Sequence, residues 1–299
     1  MSRYIINDGK EKFAYYKAEM CGNSKLLVYF KRRLVDMDTI EIYLSKLSAA
    51  KELYMEIAEK SGDDTIDCKD KLMMFLEEVN TPAEYKVYIS DEDISNDNID
   101  EIKEIFQSCA GKNENITVEF ITDEFLNLLD ENERLTQKSK PRSLVHRDGD
   151  LHAVVHIWII QRKDMGIYVL LQKRSDKKQI NPGCYDVSAA GHITQGGEPR
   201  KTAVREIYEE LGLKVPNEKL KIVGVHRNTY CNGIVKDNEL SAVYIYNEPV
   251  DIDSLTICED EVAEVCWAEI DEMLTVMKNG EFLNCISLEE LAMIKKATF

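Results

Sequence analysis

The 299 residues allow one large domain or two of ordinary size, and 44% apolar against 31% charged residues is enough to bury a proper core. Lys and Arg number 38 against 55 Asp and Glu, a formal charge of −17 that repels nucleic-acid polymers and anionic membranes. A polyanionic substrate would need a locally positive site, most simply a bound cation. No run approaches the roughly 18–20 apolar residues that span a bilayer and MSRYIINDGKEKFAYYK has no signal-peptide core, while eight scattered cysteines without a Cys-x-x-Cys pair read as reduced thiols, so a cytoplasmic protein is expected.

The predicted elements begin with a short apolar strand at residues 26–30. From 38 to 60, Ile40, Ile42, Leu44, Leu47, Ala50, Leu53 and Ile57 recur near helical spacing and Gly62 closes the segment, which predicts a helix. A second helix at 68–79 ends at Asn80-Thr81-Pro82. A strand (85–89), a helix (99–109) and a strand (116–121) follow, an order that suits a parallel unit. No phosphate-loop glycines or metal-spaced histidines occur in this part. The pattern changes near residue 123, which divides the chain into an N-terminal α/β domain of unknown function, 1–123, and a second domain, 124–299.

In the second domain, residues 128–135 read as a strand, a polar turn and a return. A basic, proline-containing segment (138–142) leads to VHRDGDLH, residues 145–152. Two strongly apolar strands, 153–160 and 167–172, are joined by a turn at 164–166. A strand is expected at 220–225, and helices at 269–278 and 287–298 close the chain.

The chemistry gathers in GHITQGGEPRKTAVREIYEELGL, residues 191–213. Pro199 suits a first helical position, Glu198 favours the positive end of the helix dipole, and Gly212 provides the stop. Ala203, Ile207 and Leu211 form an apolar stripe at i, i+4, i+8. Glu206, Glu209 and Glu210, at i, i+3, i+4, gather elsewhere on the helix, where their mutual repulsion is relieved by a divalent cation with oxygen ligands. Arg205, four residues before Glu209, is placed to hold that carboxylate. A Glu-Glu pair alone is an ordinary solvated face; the glycine-rich turn and the order RE-x-x-EE-x-G set this one apart.

This segment resembles the Nudix box: Gly191 matches its first glycine, and Arg205 to Leu213 match its second half. The box pattern has a Glu at 197, where this chain has glycine, with the acid one place later at Glu198. The resemblance extends over about residues 125–270, where LLDENERL, LHAVVHIWII, LLQKRSDKK, PGCYDVSAAGH and EDEVAEVCW look like the isopentenyl-diphosphate-isomerase-type branch, several members of which are hydrolases. It implies an α/β/α sandwich with a mixed sheet, Mg²⁺ or Mn²⁺ on Glu206, Glu209 and Glu210, and Glu209 as a candidate base. It also implies a second metal cluster of three histidines and two acids at His146, His152, His192, Asp237 and Glu239, although His146 and His152 stand one residue closer than in the isomerases. Glu239 is a candidate catalytic group with Glu209 and Arg205. The isomerase cysteine is replaced by Ala190, which has no proton to exchange, and Cys184 lies six residues away.

Lys173 and Arg174, directly after a strand, are candidate phosphate contacts, and Tyr230 a candidate pocket residue. For His156 a buried, hydrogen-bonded role is the better reading, and for Trp158 and Trp267 a core role. The expected function is metal-dependent hydrolysis of a diphosphate in a nucleoside diphosphate linked to a group X, acting on a small molecule, with a homodimer left open. The rival readings are isopentenyl-diphosphate isomerase and a non-catalytic metabolite sensor.

Overall fold

The computed structural model describes residues 116–163, 166–178, 180–232 and 235–298, with residues 2–7, 12–17, 28–31, 38–44, 83–90, 103, 104 and 107 before them. The chain divides into two compact units: Met1–Phe125 with Lys138–Leu144, and Leu126–Gln137 with Val145–Phe299.

In the first unit, β1 (Ser2–Asn7) and β2 (Lys12–Lys17) pair antiparallel. A separate four-stranded sheet runs β3 (Val28–Lys31), β4 (Asp38–Leu44), β5 (Ala83–Ser90), β6 (Ile116–Asp123), with β4, β5 and β6 mutually parallel. The strands expected at 85–89 and 116–121 are present, as is their parallel pairing, and residues 103, 104 and 107 are helical. The helix expected from residue 38 is corrected: Asp38–Leu44 is a strand. Its Thr39-Ile40-Glu41-Ile42-Tyr43-Leu44 alternates with period two and is rich in β-branched residues, and that local preference outweighs the longer helical spacing. Residues 45–60 and 68–79 lie outside the described residues.

The second unit is built on a mixed sheet. β9 (His152–Lys163) is its long central strand, and the main path runs β11 (Tyr185–Asp186), β10 (Gly166–Arg174), β9, β14 (Val235–Tyr246), β13 (Lys221–Asn232). β12 (Ala189–His192) pairs with the first half of β9, and β15 (Val262–Glu269) with β10. β7 (Phe125–Leu129) and β8 (Leu135–Pro141) pair with each other, as the polar turn at 130–134 requires. Among the described strands only β14 runs parallel to β9, placing Glu239 opposite His152 and Val243 opposite His156.

Alternation along β9 sorts the two faces. Val155, Ile157 and Ile159 pack with Ala203, Ile207 and Leu211 of a helix on one side. Trp158 and Ile160 pack with Val243, Ile270, Met273, Leu291 and Ile294 on the other. Among the described residues of the chain's second half, the α-helices are α1 (Arg142–Asp148), α2 (Pro199–Leu211), α3 (Ile270–Asn279) and α4 (Leu288–Ala297). With α2 on one face and α3 and α4 on the other, the unit has the α/β/α layering that the resemblance implies. α2 starts at Pro199 and stops at Gly212, whose φ of 67° is the left-handed conformation that ends helices. α1 was not legible: the basic segment 138–142 is the end of β8 and the first residue of this helix. No helix among the described residues is long and apolar enough to cross a membrane.

Candidate functional site

The inner face of α2 carries Glu206 and Glu210, both buried. Gly191, on β12, lies against Glu206 so closely that a Cβ there would stand 2.5 Å from Glu206 Cγ and nearer still to its carboxylate. The first box position is therefore glycine because the carboxylate occupies the space of a side chain. Glu210 Oε2 accepts from Gln172 Nε2 at 3.1 Å and from the Ala190 N–H at 3.3 Å, so both donors orient the same oxygen. Burial, followed by the charges of Glu206 and Asp186, pushes Glu210 well above the usual carboxylate range, against the Ala190 hydrogen bond. Glu209 does not join them. Its side chain is 52% exposed, and Arg205 bonds both Glu209 Oε2 at 2.6 Å and Glu206 Oε1 at 2.5 Å, standing as the cation between them.

Across the sheet face that α4 covers, five side chains from four elements converge: His146 from α1, His152 from β9, His192 from β12, and Asp237 and Glu239 from β14. The three imidazole rings lie 5.1, 5.4 and 5.4 Å apart. One ligand atom from each of the three histidines falls within 4.8 Å of the others, and so do ligand atoms of His152, Asp237 and Glu239. His152 Nδ1 is 3.0 Å from the Asp150 carbonyl oxygen; because a carbonyl only accepts, Nδ1 carries the proton and Nε2 presents its lone pair. That Nε2 lies 3.7 Å from Asp237 Oδ1 and 3.9 Å from Glu239 Oε1, and His146 Nε2 lies 3.9 Å from the same Asp237 oxygen. These separations exceed a hydrogen bond and match two ligands sharing one ion with bonds of about 2.0–2.2 Å. The donor set fits a divalent metal, and its imidazoles favour a transition metal over Mg²⁺. Burial and the neighbouring Asp237 push Glu239 up to about 8, against the charge of His156.

The loop between Gly191 and α2 is fastened by a residue that the sequence reading passed over. Asn127, buried on β7, donates from Nδ2 to the Thr194 carbonyl at 2.7 Å and from its backbone N–H to Ile193 O at 3.2 Å; its Oδ1 accepts a longer 3.4 Å bond from Gly196 N–H. Glu198 instead pairs with Lys201 at 3.0 Å on the solvent side of α2, where its side chain is largely exposed.

A model of the NUDIX domain matches residues 150–284. The chain is 36% identical over 157 residues to an uncharacterized Nudix hydrolase of Clostridium acetobutylicum, an alignment covering 52% of this chain and 75% of that protein. It is 34% identical to a second, from Listeria innocua, over 57% of this chain and 95% of the relative. The chain belongs to the Nudix hydrolase family. An isopentenyl-diphosphate Delta-isomerase of Pectobacterium atrosepticum is more distant, 29% identical over 49% of this chain and 76% of that enzyme.

As a Nudix enzyme the chain hydrolyses pyrophosphate bonds, and the remaining candidate residues can be placed around the box. Lys173 lies 3.8 Å from Glu264 and over the Tyr185 ring at 5.8 Å. Arg174 is turned inward, with NH1 on Asp186 Oδ2 at 3.0 Å and Nε on the Ile180 carbonyl, so its guanidinium is held by the protein's own oxygens. Tyr230 is exposed on the edge strand β13, opposite Asp237 in register. Trp158 is core, as expected, and Trp267 is partly buried. His156 is hydrogen bonded as expected, but its partner, Glu290 of α4, was not foreseen. Gln172 and Asp186 were missed as well. For Gln172 the signal was available: an amide side chain at the end of the strongly apolar strand 167–172. Among the described residues the cysteines 184, 231, 258, 266 and 285 are free thiols.

Proposed function

We propose that this Nudix hydrolase cleaves the diphosphate of a small molecule, a nucleoside diphosphate linked to a further group X or a similar compound, with Mg²⁺ or Mn²⁺ as cofactor. The observation that carries the reading is the convergence of His146, His152, His192, Asp237 and Glu239 on one sheet face. In this reading those five side chains hold one cation, and Glu206 and Glu210 hold another beside Gly191. Bound cations there supply neutralisation of the non-bridging phosphate oxygens, the main demand of phosphoryl transfer. Arg205 fixes Glu209, which is the carboxylate with open access to water and serves as the proton acceptor for the attacking molecule. Lys173 and Tyr230 contact the substrate, while Arg174 supports the site from beneath through Asp186.

Hydrolysis is favoured over isomerisation by Ala190. A methyl group neither gives nor takes a proton. The test is a phosphate-release screen with Mg²⁺ or Mn²⁺ across dinucleotides, nucleotide sugars, nucleoside triphosphates and prenyl diphosphates, each with a chelator control. Release from at least one class that chelation abolishes is the expected outcome. No release from any class, or release that survives chelation, overturns the proposal.

A further inference from the structure

His146 and His152 belong to two elements joined by a short turn: α1 ends at Asp148 and β9 begins at His152, so Gly149, Asp150 and Leu151 reverse the chain. Gly149 has a φ of 76°, the left-handed conformation that ends helices, and its N–H and that of Asp150 both return to the Val145 carbonyl, at 2.8 and 3.1 Å. Each carbonyl of the turn receives a donor. Leu151 O takes the Leu129 N–H at 2.8 Å, Asp150 O takes His152 Nδ1 at 3.0 Å, and Gly149 O takes Asn238 Nδ2 at 3.1 Å. Asn238 stands between Asp237 and Glu239 on β14, and by alternation its side chain leaves the strand on the face opposite to theirs. Register explains its use. Pairing of β14 with β9 begins at Glu239 opposite His152, so the ladder itself places Glu239. Asp237 lies two residues earlier, where β14 keeps its partner β13 but its register with β9 has not begun. There the turn rests directly on β14: a Cβ on Gly149 would stand 3.1 Å from Lys236 Cβ.

We infer that Asn238 is a positioning residue: its amide ties the Asp237 segment of β14 to the turn between His146 and His152, and so sets the spacing at which these three side chains share a cation. Asp237 Oδ1 stands 3.9 Å from His146 Nε2 and 3.7 Å from His152 Nε2, and a metal's ligand distances tolerate only about 0.2 Å of error. The amide is itself oriented. Its Oδ1 accepts a longer bond of 3.3 Å from Arg227 NH2, so Nδ2 is the atom turned to Gly149 O, and Arg227 NH1 lies 3.7 Å from Glu133 Oε1 in the turn between β7 and β8. Asn238 and Gly149 are both half-buried, so water reaches them once the bond is broken and the fold loses little. The ligand set loses more, because partners outside the ligand shell are what hold the ligands in place. A bond that only stabilised the turn would make no difference to metal binding, and the two roles are therefore separable by experiment.

The inference rests on the reading of the five side chains as a cation site, so the test carries a readout for each. Co²⁺, which accepts imidazole ligands and reports them in its visible absorption, is titrated into the full chain with Mg²⁺ in excess to occupy the carboxylates of α2. The proteins compared are the wild type, Asn238→Leu, Asp237→Asn and His152→Ala; leucine keeps the volume of asparagine without a donor. The wild type should take up about one equivalent, and Asn238→Leu should bind it about 10- to 100-fold more weakly, with a saturated spectrum displaced toward that of Asp237→Asn. Thermal unfolding of the metal-free variant should stay within a few degrees of wild type. An Asn238→Leu affinity within about threefold of wild type, with the spectrum unchanged, overturns the inference and leaves the cation site standing. Should Asn238→Leu fail to fold, Arg227→Ala decides, because it frees the same amide from the solvent side: weakening of Co²⁺ binding by about threefold or more upholds the inference and a smaller change overturns it. A wild type that takes up no Co²⁺, or whose uptake survives His152→Ala undiminished, overturns the cation site and the role of Asn238 with it.

Discussion

Gly191→Ala is the sharpest single perturbation of the site. The added methyl group would sit 2.5 Å from Glu206 Cγ, where ordinary contact begins at 3.4 Å, so the side chain must retreat by about 0.9 Å at Cγ and further at the carboxylate. Retreat is constrained, because Glu206 is buried on α2 and Arg205 NH2 grips its Oε1 at 2.5 Å. Ala203 and Ile207, fully buried on either side of it in sequence, hold the helix itself in place. The strain thus falls on the carboxylate and not on the fold. A displacement of about 1 Å in a group that positions reacting atoms lowers the rate roughly 100-fold. Thermal unfolding of the variant should stay within a few degrees of wild type, while kcat in the phosphate-release assay falls about 100-fold and half-saturation by Mg²⁺ moves to higher concentration. A variant that turns over within threefold of wild type at the same Mg²⁺ concentration would refute the idea that Gly191 exists to seat that carboxylate.

Three further outcomes follow from the same geometry. His152→Ala and Asp237→Asn should each lower the bound Mn²⁺, counted by mass spectrometry after dialysis against Mn²⁺, by about one equivalent per chain; full retention in both variants contradicts a shared ion. Asn127→Ala removes the two side-chain bonds that fasten residues 194–196 and leaves the Thr194 carbonyl and Gly196 N–H to find other partners, a loss of about 1–3 kcal/mol. Urea unfolding should register it, and kcat should fall more than KM rises, since the loop leads into the Nudix helix. His156, whose folded-state pKa is raised from 6.5 to about 9, contributes stability fully present below about pH 6.5 and lost as pH rises through 9. At about 1.36 kcal/mol per unit the ceiling is about 3 kcal/mol. The stability gap between wild type and H156L/E290Q should therefore shrink between pH 6 and pH 10, and a gap constant over that range contradicts the ion pair.

What was legible in the sequence was what local spacing fixes. Pro199 and Gly212 bracket the Nudix helix, and the stripe of Ala203, Ile207 and Leu211 points at the core because each step is one helical turn. Spacing alone could not say which of the three glutamates turns inward, because that depends on the sheet beneath. Glu206 and Glu210 face Gly191, Gln172 and Ala190, and Glu209 faces water. Long-range register was equally hidden: the opposition of Glu239 to His152 is a property of the parallel pairing of β14 with β9, and no local pattern encodes it. Glu290 shows a local rule being overridden. Ser287 and Glu290 have the spacing of a helix-capping box, and Ser287 does receive the Glu290 N–H at 3.4 Å. The carboxylate, however, turns inward, because His156 and Trp158 bring two donors that burial would otherwise leave costly.

The charge of the chain ties these findings together. A protein of −17 that buries Glu206 and Glu210 on α2 and half-buries Asp237 and Glu239 on β14 opposes its own fold unless positive charge is supplied at each pair. Part of it is built in: Arg205 between Glu206 and Glu209, Arg174 on Asp186, and His156 on Glu290. Each of these cations is already bound to a carboxylate of the protein, so none is left over to neutralise the phosphates of a substrate. Burial first, and the neighbouring carboxylates after it, raise the proton affinity of Glu210 and Glu239. Protons satisfy such a site one carboxylate at a time, whereas a divalent cation satisfies several and still has coordination positions for phosphate oxygens. The features that make the buried acids uncomfortable alone are those that suit them to a metal and a diphosphate together.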